Sequence, residues 1–356
     1  MERALSAPGK LFLSGEYAVL WGGTARIAAV SPRAHAYVRR REDAQVHLVL
    51  EEGRLRGKVT PLGVHWEHAV PQGFRFMASA VDELVQCHAQ QTLGFTLCMA
   101  PTPPQPNGEK LGLGSSARAT LLAAEAARYV LEERVDPLKV ALVAHALTQG
   151  LRGSGGDVAA SFAGGVIRYR RFQVEAILTP ARPRAAAYAD SAPVDLVRVG
   201  APQWSAVYAH AGQAASTTAL ISTAELKLKE RDREDFVASS DAVGREFEEA
   251  LGAQDFEALR ETTLGLRELL LKVGPLETEG VRRILALGAA YGCAGKASGA
   301  GGGDGCLLFC PAPEVARELL SAYRGRGVHA FAVQFEPGLR GETRADERLK
   351  AWSTVT

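Results

Sequence analysis

Lys110-Leu111-Gly112-Leu113-Gly114-Ser115-Ser116-Ala117-Arg118 is the stretch around which the rest of this chain is read. A Pro-rich loop precedes it (Pro101, Pro103, Pro104, Pro106), and an Ala/Leu-rich run from Ala119 to Leu131 follows, with the composition of a helix. Glycine lets the backbone take positive φ and lets a ligand approach closely. The first N–H groups of a helix lack intrahelical partners, and the helix dipole favours negative charge there. Ser115 and Ser116 add hydroxyls that donate hydrogen bonds or ligate Mg²⁺. The stretch is not a P-loop, because no Gly-Lys-Ser/Thr closes it. On these residues alone, a phosphate cradle and a ligand-free Gly/Ser helix cap both stand.

Working outward, two further glycine-rich loops appear. Gly153-Ser154-Gly155-Gly156-Asp157 precedes the apolar segment Val158-Ala159-Ala160, and Gly299-Ala300-Gly301-Gly302-Gly303-Asp304-Gly305 precedes the apolar run Cys306–Phe309. Loops this rich in glycine carry a large entropic cost, so a close backbone approach is expected to justify them. Successive N–H groups in such loops also suit an anion.

The 356 residues suggest two domains at roughly 100–200 residues each. We expect segments 1–190 and 191–356, divided near the polar, Pro-containing connection around Pro180–Arg184. The chain is 47% hydrophobic and 23% charged, with Lys+Arg 41 against Asp+Glu 40. This near-neutral balance argues against a general nucleic-acid binder, whose footprint is a basic excess. No run approaches the ~18 apolar residues of a membrane span, and the first residues lack a long apolar core. A cytoplasmic protein with no membrane partner is the expectation. Five cysteines without CxxC spacing fit reduced core thiols rather than a zinc site. His35, His65, His68, His145 and His329 show no ligand spacing and are expected in core or surface roles.

Strands are expected within 4–50, at 95–99, 166–169, 194–199, 204–208, 306–309 and 328–335. Helices are expected over 74–91, 119–131, from Asp136-Pro137 to Thr148, and over 264–273, 281–290 and 314–323. The order of elements gives an α+β protein of two layered domains.

A fourth element, Pro8-Gly9-Lys10 followed by Ser14-Gly15-Glu16-Tyr17, lies near the start of the chain. With Gly112-Leu113-Gly114-Ser115-Ser116 and the glycine run at 299–305, it resembles the GHMP kinase superfamily, whose three motifs occur in this order. The resemblance implies a ribosomal-protein-S5-like ATP domain, a ferredoxin-like α/β second domain and an active site in the cleft between them. Within the superfamily, Lys110, the Gly155-Gly156-Asp157-Val158-Ala159-Ala160-Ser161 loop and Ala214-Ala215-Ser216-Thr217-Thr218 resemble the phosphomevalonate kinases. His210-Ala211-Gly212-Gln213 departs from that group, where Trp-Thr-Gly-Lys is common.

The implied reaction uses ATP and Mg²⁺ and passes a phosphoryl group to a small anionic acceptor, (R)-5-phosphomevalonate, in isoprenoid precursor synthesis. Mevalonate, with a hydroxyl acceptor, and a non-catalytic ligand sensor are the alternatives. By resemblance, Lys110, Gly112, Leu113, Gly114, Ser115 and Ser116 hold the ATP phosphates, and Ser116 touches the Mg²⁺. Lys10 stabilises charge at the transferring group, and Asp157 acts as base or orients the acceptor. Tyr17, Ser154, Ser216, Thr217, Lys296, Ser298, Gly299 and Ala300 are the implied acceptor contacts. Arg118 has two readings, a bidentate phosphate contact or a solvent-facing side chain.

Overall fold

The computed structural model describes residues 1–88, 93–100, 111–179, 182–212, 220, 224, 227–274, 276–299, 301 and 305–354. The first half contains β1 (Glu2–Ser14), β2 (Thr24–Arg41), β3 (Gln45–Leu50), β4 (Gly53–Thr60), β5 (Gly63–Trp66), α1 (Arg75–Val85) and β6 (Gly94–Ala100). It continues through α2 (Ser115–Leu131), α3 (Pro137–Thr148), α4 (Gly156–Ala163), β7 (Val166–Arg170) and α5 (Arg184–Asp190). The second half contains β8 (Leu196–Val199), β9 (Ser205–His210), α6 (Glu230–Ala253), α7 (Phe256–Val273) and α8 (Glu279–Ala290). After these come β10 (Ala294–Ala297), β11 (Gly305–Cys310), α9 (Pro313–Arg324), β12 (Ala330–Val333), β13 (Arg340–Glu342) and α10 (Glu347–Thr354).

Two sheets organise these elements. The larger runs β13-β1-β2-β6-β3-β4-β5, with β7 on β2 and β8 on β7. The smaller runs β10-β11-β9-β12, all antiparallel. Membership does not follow chain order: β8 and β13 come from the second half yet join the first sheet. Helix α10 likewise packs there, with Leu349 among Tyr37, Val49, Cys98 and Ala100.

β1 is the hinge of the architecture, buried on both sides from Leu5 to Ser14. Its register on β2 shifts between Ala7 and Gly9, at the Pro-Gly pair. Such a shift re-aims the side chains that follow. Leu5 and Ala7 face the core built by α1, α2 and α3, and past the shift Phe12 takes over that face. Leu11 and Leu13 then face a second core with Tyr208, Leu307 and Phe309 of the smaller sheet and Phe247 and Leu259 of α6 and α7. The two halves are therefore joined by shared apolar burial along one strand. The other face of the smaller sheet is covered by α8 and α9, through Val281, Leu285, Leu319 and Tyr323.

Helix starts follow local chemistry. Asp136 accepts from the Leu138 N–H at 2.9 Å ahead of Pro137, Asp255 accepts from Ala258 at 3.0 Å, and Thr278 accepts from Val281 at 3.3 Å. α2 and α4 differ, since their N-caps are Gly114 and Gly155, both left-handed at φ 77 and 73. A glycine brings no side chain to cover the first turn.

Several sequence expectations change in detail. The helix expected over 74–91 ends at Val85, with residues 89–92 outside the described set. α2 starts at Ser115, four residues before the expected run, so both serines belong to its first turn. All five cysteines are free thiols, four of them buried.

Candidate active site

The site grows from Lys10. β1 carries it past the register shift onto the face of Phe12, and its Nζ lies 5.4 Å from that ring's centre. The side chain is 9% exposed. Its backbone N–H donates to the Leu113 carbonyl at 3.1 Å, and its Nζ donates to the Gly112 carbonyl at 2.9 Å. The N-terminal motif and the first glycine loop are thus clipped together at two points. A third comes from the smaller sheet, where the Tyr208 hydroxyl donates to the Leu111 carbonyl at 2.6 Å.

The glycines explain the closeness. A Cβ placed on Gly114 would sit 3.1 Å from Lys10 Cγ and 3.7 Å from Asp157 Cβ. One placed on Gly299 would lie 3.7 Å from Lys10 Nζ. Gly114 of the first loop thus meets both Lys10 and Asp157, and Gly299 lies at the Lys10 ammonium, although Lys10 and Gly112 are 102 positions apart.

Asp157 is in the first turn of α4. The loop before it is held from below by Tyr169, whose hydroxyl donates to the Ser154 carbonyl at 2.8 Å. Ser154 Oγ accepts from the Gly156 N–H at 3.2 Å, and Asp157 Oδ1 accepts from the Val158 N–H at 3.0 Å. Asp157 Oδ2 remains 3.8 Å from Nε2 of His145. The same Nε2 is 3.2 Å from Ser116 Oγ. Burial pushes the His145 pKa down, with the Asp157 charge opposing.

His145 is the residue sequence reasoning missed. The available signal was a single polar side chain in the run Val140–Ala146 of α3, directly ahead of a glycine loop. Spacing alone does not show that α3 returns this side chain to Ser116.

The remaining expected residues divide. Lys296 is brought to the N-terminal motif, where its ammonium pairs with Glu16 and donates to the Ala297 carbonyl at 2.8 Å. Ser298 Oγ donates to the Phe12 carbonyl at 3.0 Å. Both thus lie at the junction of the halves, with polar partners from the protein. Tyr17 is buried with φ 62, an uncommon angle for a side chain of its size. Ser115 is exposed at the start of α2, and Ser116 is half-buried. Arg118 does not point to solvent. It is 2% exposed, its Nη1 donates to the Pro32 carbonyl at 2.9 Å, and burial pushes its pKa down to about 10. Lys110, Ser216, Thr217, Ala300 and Asp304 lie outside the described residues. Among the described residues no helix is long and apolar enough to cross a membrane.

A glycine-ringed lysine, a glycine-capped helix with two leading serines and a nearby aspartate form a site suited to phosphoryl transfer, which asks a protein for positioning and charge stabilisation. Residues 80–165 match the family model of the GHMP kinases' N-terminal domain, and residues 247–329 match that of their C-terminal domain. The chain belongs to the GHMP kinases, a family of phosphotransferases, and has their two-domain fold.

Two relatives sharpen the comparison. The chain is 28% identical over 368 residues to the phosphomevalonate kinase of Streptomyces sp. (strain CL190), spanning 94% of this chain and 97% of the relative. It is 27% identical over 172 residues to that of Saccharolobus solfataricus, spanning 47% of this chain and about half, 49%, of the relative's length. The fold is also that of Streptococcus pneumoniae phosphomevalonate kinase in complex with phosphomevalonate and AMPPNP, with TM-score 0.78 and 18% identity over 94% of this chain and 99% of that one.

Proposed function

We propose that this kinase phosphorylates (R)-5-phosphomevalonate with ATP, forming the 5-diphosphate in the mevalonate route to isoprenoids. The observation that carries the reading is the meeting of the first glycine loop with both Lys10 and Asp157, with Gly299 beside the Lys10 ammonium. The names of the two relatives support the choice of acceptor.

In this reading segment 1–190 holds ATP and segment 191–356 closes the acceptor side. The phosphates lie against Gly112, Leu113, Gly114 and the first turn of α2, where N–H groups, the helix dipole and the hydroxyls of Ser115 and Ser116 meet negative charge. Mg²⁺ needs one or two protein oxygens beside phosphates and waters. The half-buried Ser116 hydroxyl, in a glycine-bordered first turn, fits that need. When bound, the ion would neutralise charge on the phosphates.

Lys10 holds its ammonium beside the transferring group, where it stabilises the charge that develops on oxygen. Its bond to Gly112 fixes that ammonium relative to the phosphate loop. A phosphate monoester loses its second proton near pH ~6, so the acceptor is already ionised at neutral pH. Asp157 then has no proton to remove from the nucleophile and acts by orienting the acceptor.

An ADP-release assay run with phosphomevalonate and mevalonate side by side tests the reading. Turnover with phosphomevalonate and little with mevalonate is the expected result. Robust turnover with mevalonate alone would reject the acceptor, and ATP binding without ADP release from either would favour a ligand sensor.

A further inference from the structure

His145 is 1% exposed, and its ring centre lies 5.2 Å from that of Phe76. Its Nδ1 is buried with no hydrogen-bond partner among the described residues. Its Nε2 faces two oxygens from different elements, Ser116 Oγ of α2 at 3.2 Å and Asp157 Oδ2 of α4 at 3.8 Å. A leucine would fill the same space without burying an unmet nitrogen, so packing alone does not account for the imidazole.

The tautomer follows from the surroundings. A lone pair on Nε2 would face the Asp157 carboxylate and be repelled, whereas an N–H there is attracted to both oxygens. The proton therefore sits on Nε2, and the bare Nδ1 is the nitrogen left without a partner. Ser116 and Asp157 are 41 positions apart in sequence and belong to separate helices. One ring edge touches both.

We propose that His145 is a positioning residue, whose Nε2–H sets the serine of the phosphate loop and the acceptor-side aspartate at a fixed separation. The proposal rests on the kinase reading above and deepens it. Phosphoryl transfer depends on the in-line approach of acceptor and donor, and small misplacements there lower the rate steeply. A group spanning the two sides acts on kcat, since each side still binds its own ligand without it.

Two conservative variants separate positioning from packing. In His145→Gln the amide nitrogen reaches the place of Nε2, while in His145→Asn it reaches only as far as Nδ1. Expected is a loss of kcat of about tenfold or less for Gln and about a hundredfold for Asn, with KM for ATP within about threefold of wild type in both. Equal losses in the two, or a loss carried by KM for ATP, would overturn the proposal. The assay uses whichever of phosphomevalonate and mevalonate the wild type turns over, so an error in the acceptor does not touch the result. A second measurement needs no turnover. In histidine-¹⁵N-labelled protein, with the Gln variant assigning the resonance, His145 is expected as the Nε2–H tautomer with bare Nδ1. An Nδ1–H tautomer would overturn the proposal even in a protein that releases no ADP.

Discussion

Lys296 and Glu16 form an ion pair across the junction of the two halves, with side chains 2% and 3% exposed, although they are 280 positions apart in sequence. β10 delivers the lysine, and the turn after β1 delivers the carboxylate. Breaking a buried pair from one side leaves an uncompensated charge, at a cost of about 3–5 kcal/mol. Glu16→Gln is therefore expected to lower unfolding stability by about that amount, measured by urea denaturation. Replacing both residues, Glu16→Leu with Lys296→Met, should cost less than either single change. A double variant less stable than both singles would contradict the assignment.

Lys10→Ala removes the ammonium at the meeting point of the glycine loops. Loss of one such stabilising donor costs about 10²–10³ in kcat. That loss is expected here with nucleotide affinity changed only a few-fold, read by steady-state kinetics and by titration of a fluorescent ATP analogue. Asp157→Asn should lose about 10² in kcat through misplacement of the acceptor. Near wild-type turnover in both variants would remove these residues from the chemistry.

Gly15 is held at φ 83, and a Cβ there would lie 2.2 Å from the Thr24 carbonyl oxygen and 2.5 Å from the Ala25 Cα. Both obstacles are backbone of β2, which cannot turn aside as a side chain can. Gly15→Ala is expected to cost about 3 kcal/mol or more, from the left-handed angle and the clash together. Gly22 supplies the control. It has φ 89 with nothing within 4 Å, so Gly22→Ala should cost only about 1–2 kcal/mol. Paired thermal melts of the two variants make the comparison.

Glu83 on α1 is 3% exposed, accepts from the Tyr188 hydroxyl at 2.9 Å and lies 3.2 Å from Arg184. Burial pushes its pKa up, and Arg184 and Tyr188 offset this only in part. A carboxyl raised above its unfolded value binds its proton more tightly in the native state. Its contribution to stability is complete below about pH 4.3 and falls as pH rises through the folded pKa. The stability of wild type relative to Glu83→Gln should accordingly be greatest in acid and decline with rising pH. Denaturation of both proteins at a series of pH values from acid to neutral gives the sign, and a difference that grows with pH would contradict it.

The parts of the site legible in the sequence are those whose cause is local. Tolerance of positive φ at Gly112, Gly114, Gly155 and Gly299 is a property of glycine itself, and Asp136-Pro137 is a local helix-start signal. What stayed hidden depends on which surfaces meet. His145 is a core histidine by composition, and only the packing of α3 beside α2 and α4 turns its Nε2 toward Ser116 and Asp157. Arg118 has the sequence position of a surface residue in a first turn, yet the chain at Pro32 covers it. Lys296 carries no local sign that its partner is Glu16. Burial of a charge by a distant segment leaves no mark in the residues beside it.

The order in which the first sheet becomes complete has its own consequence. β1 is made long before β13, the strand that covers its outer edge through the pairing of Ala4 with Glu342 and Ser6 with Arg340. α10 then closes over Tyr37 and Cys98. During synthesis at the ribosome this edge stays open until β13 has emerged, and an open strand edge is a template for pairing with other chains. The nascent sheet thus carries an unpaired strand edge from the synthesis of β1 to that of β13. Closure of the first sheet therefore waits on strands that the second half of the chain supplies.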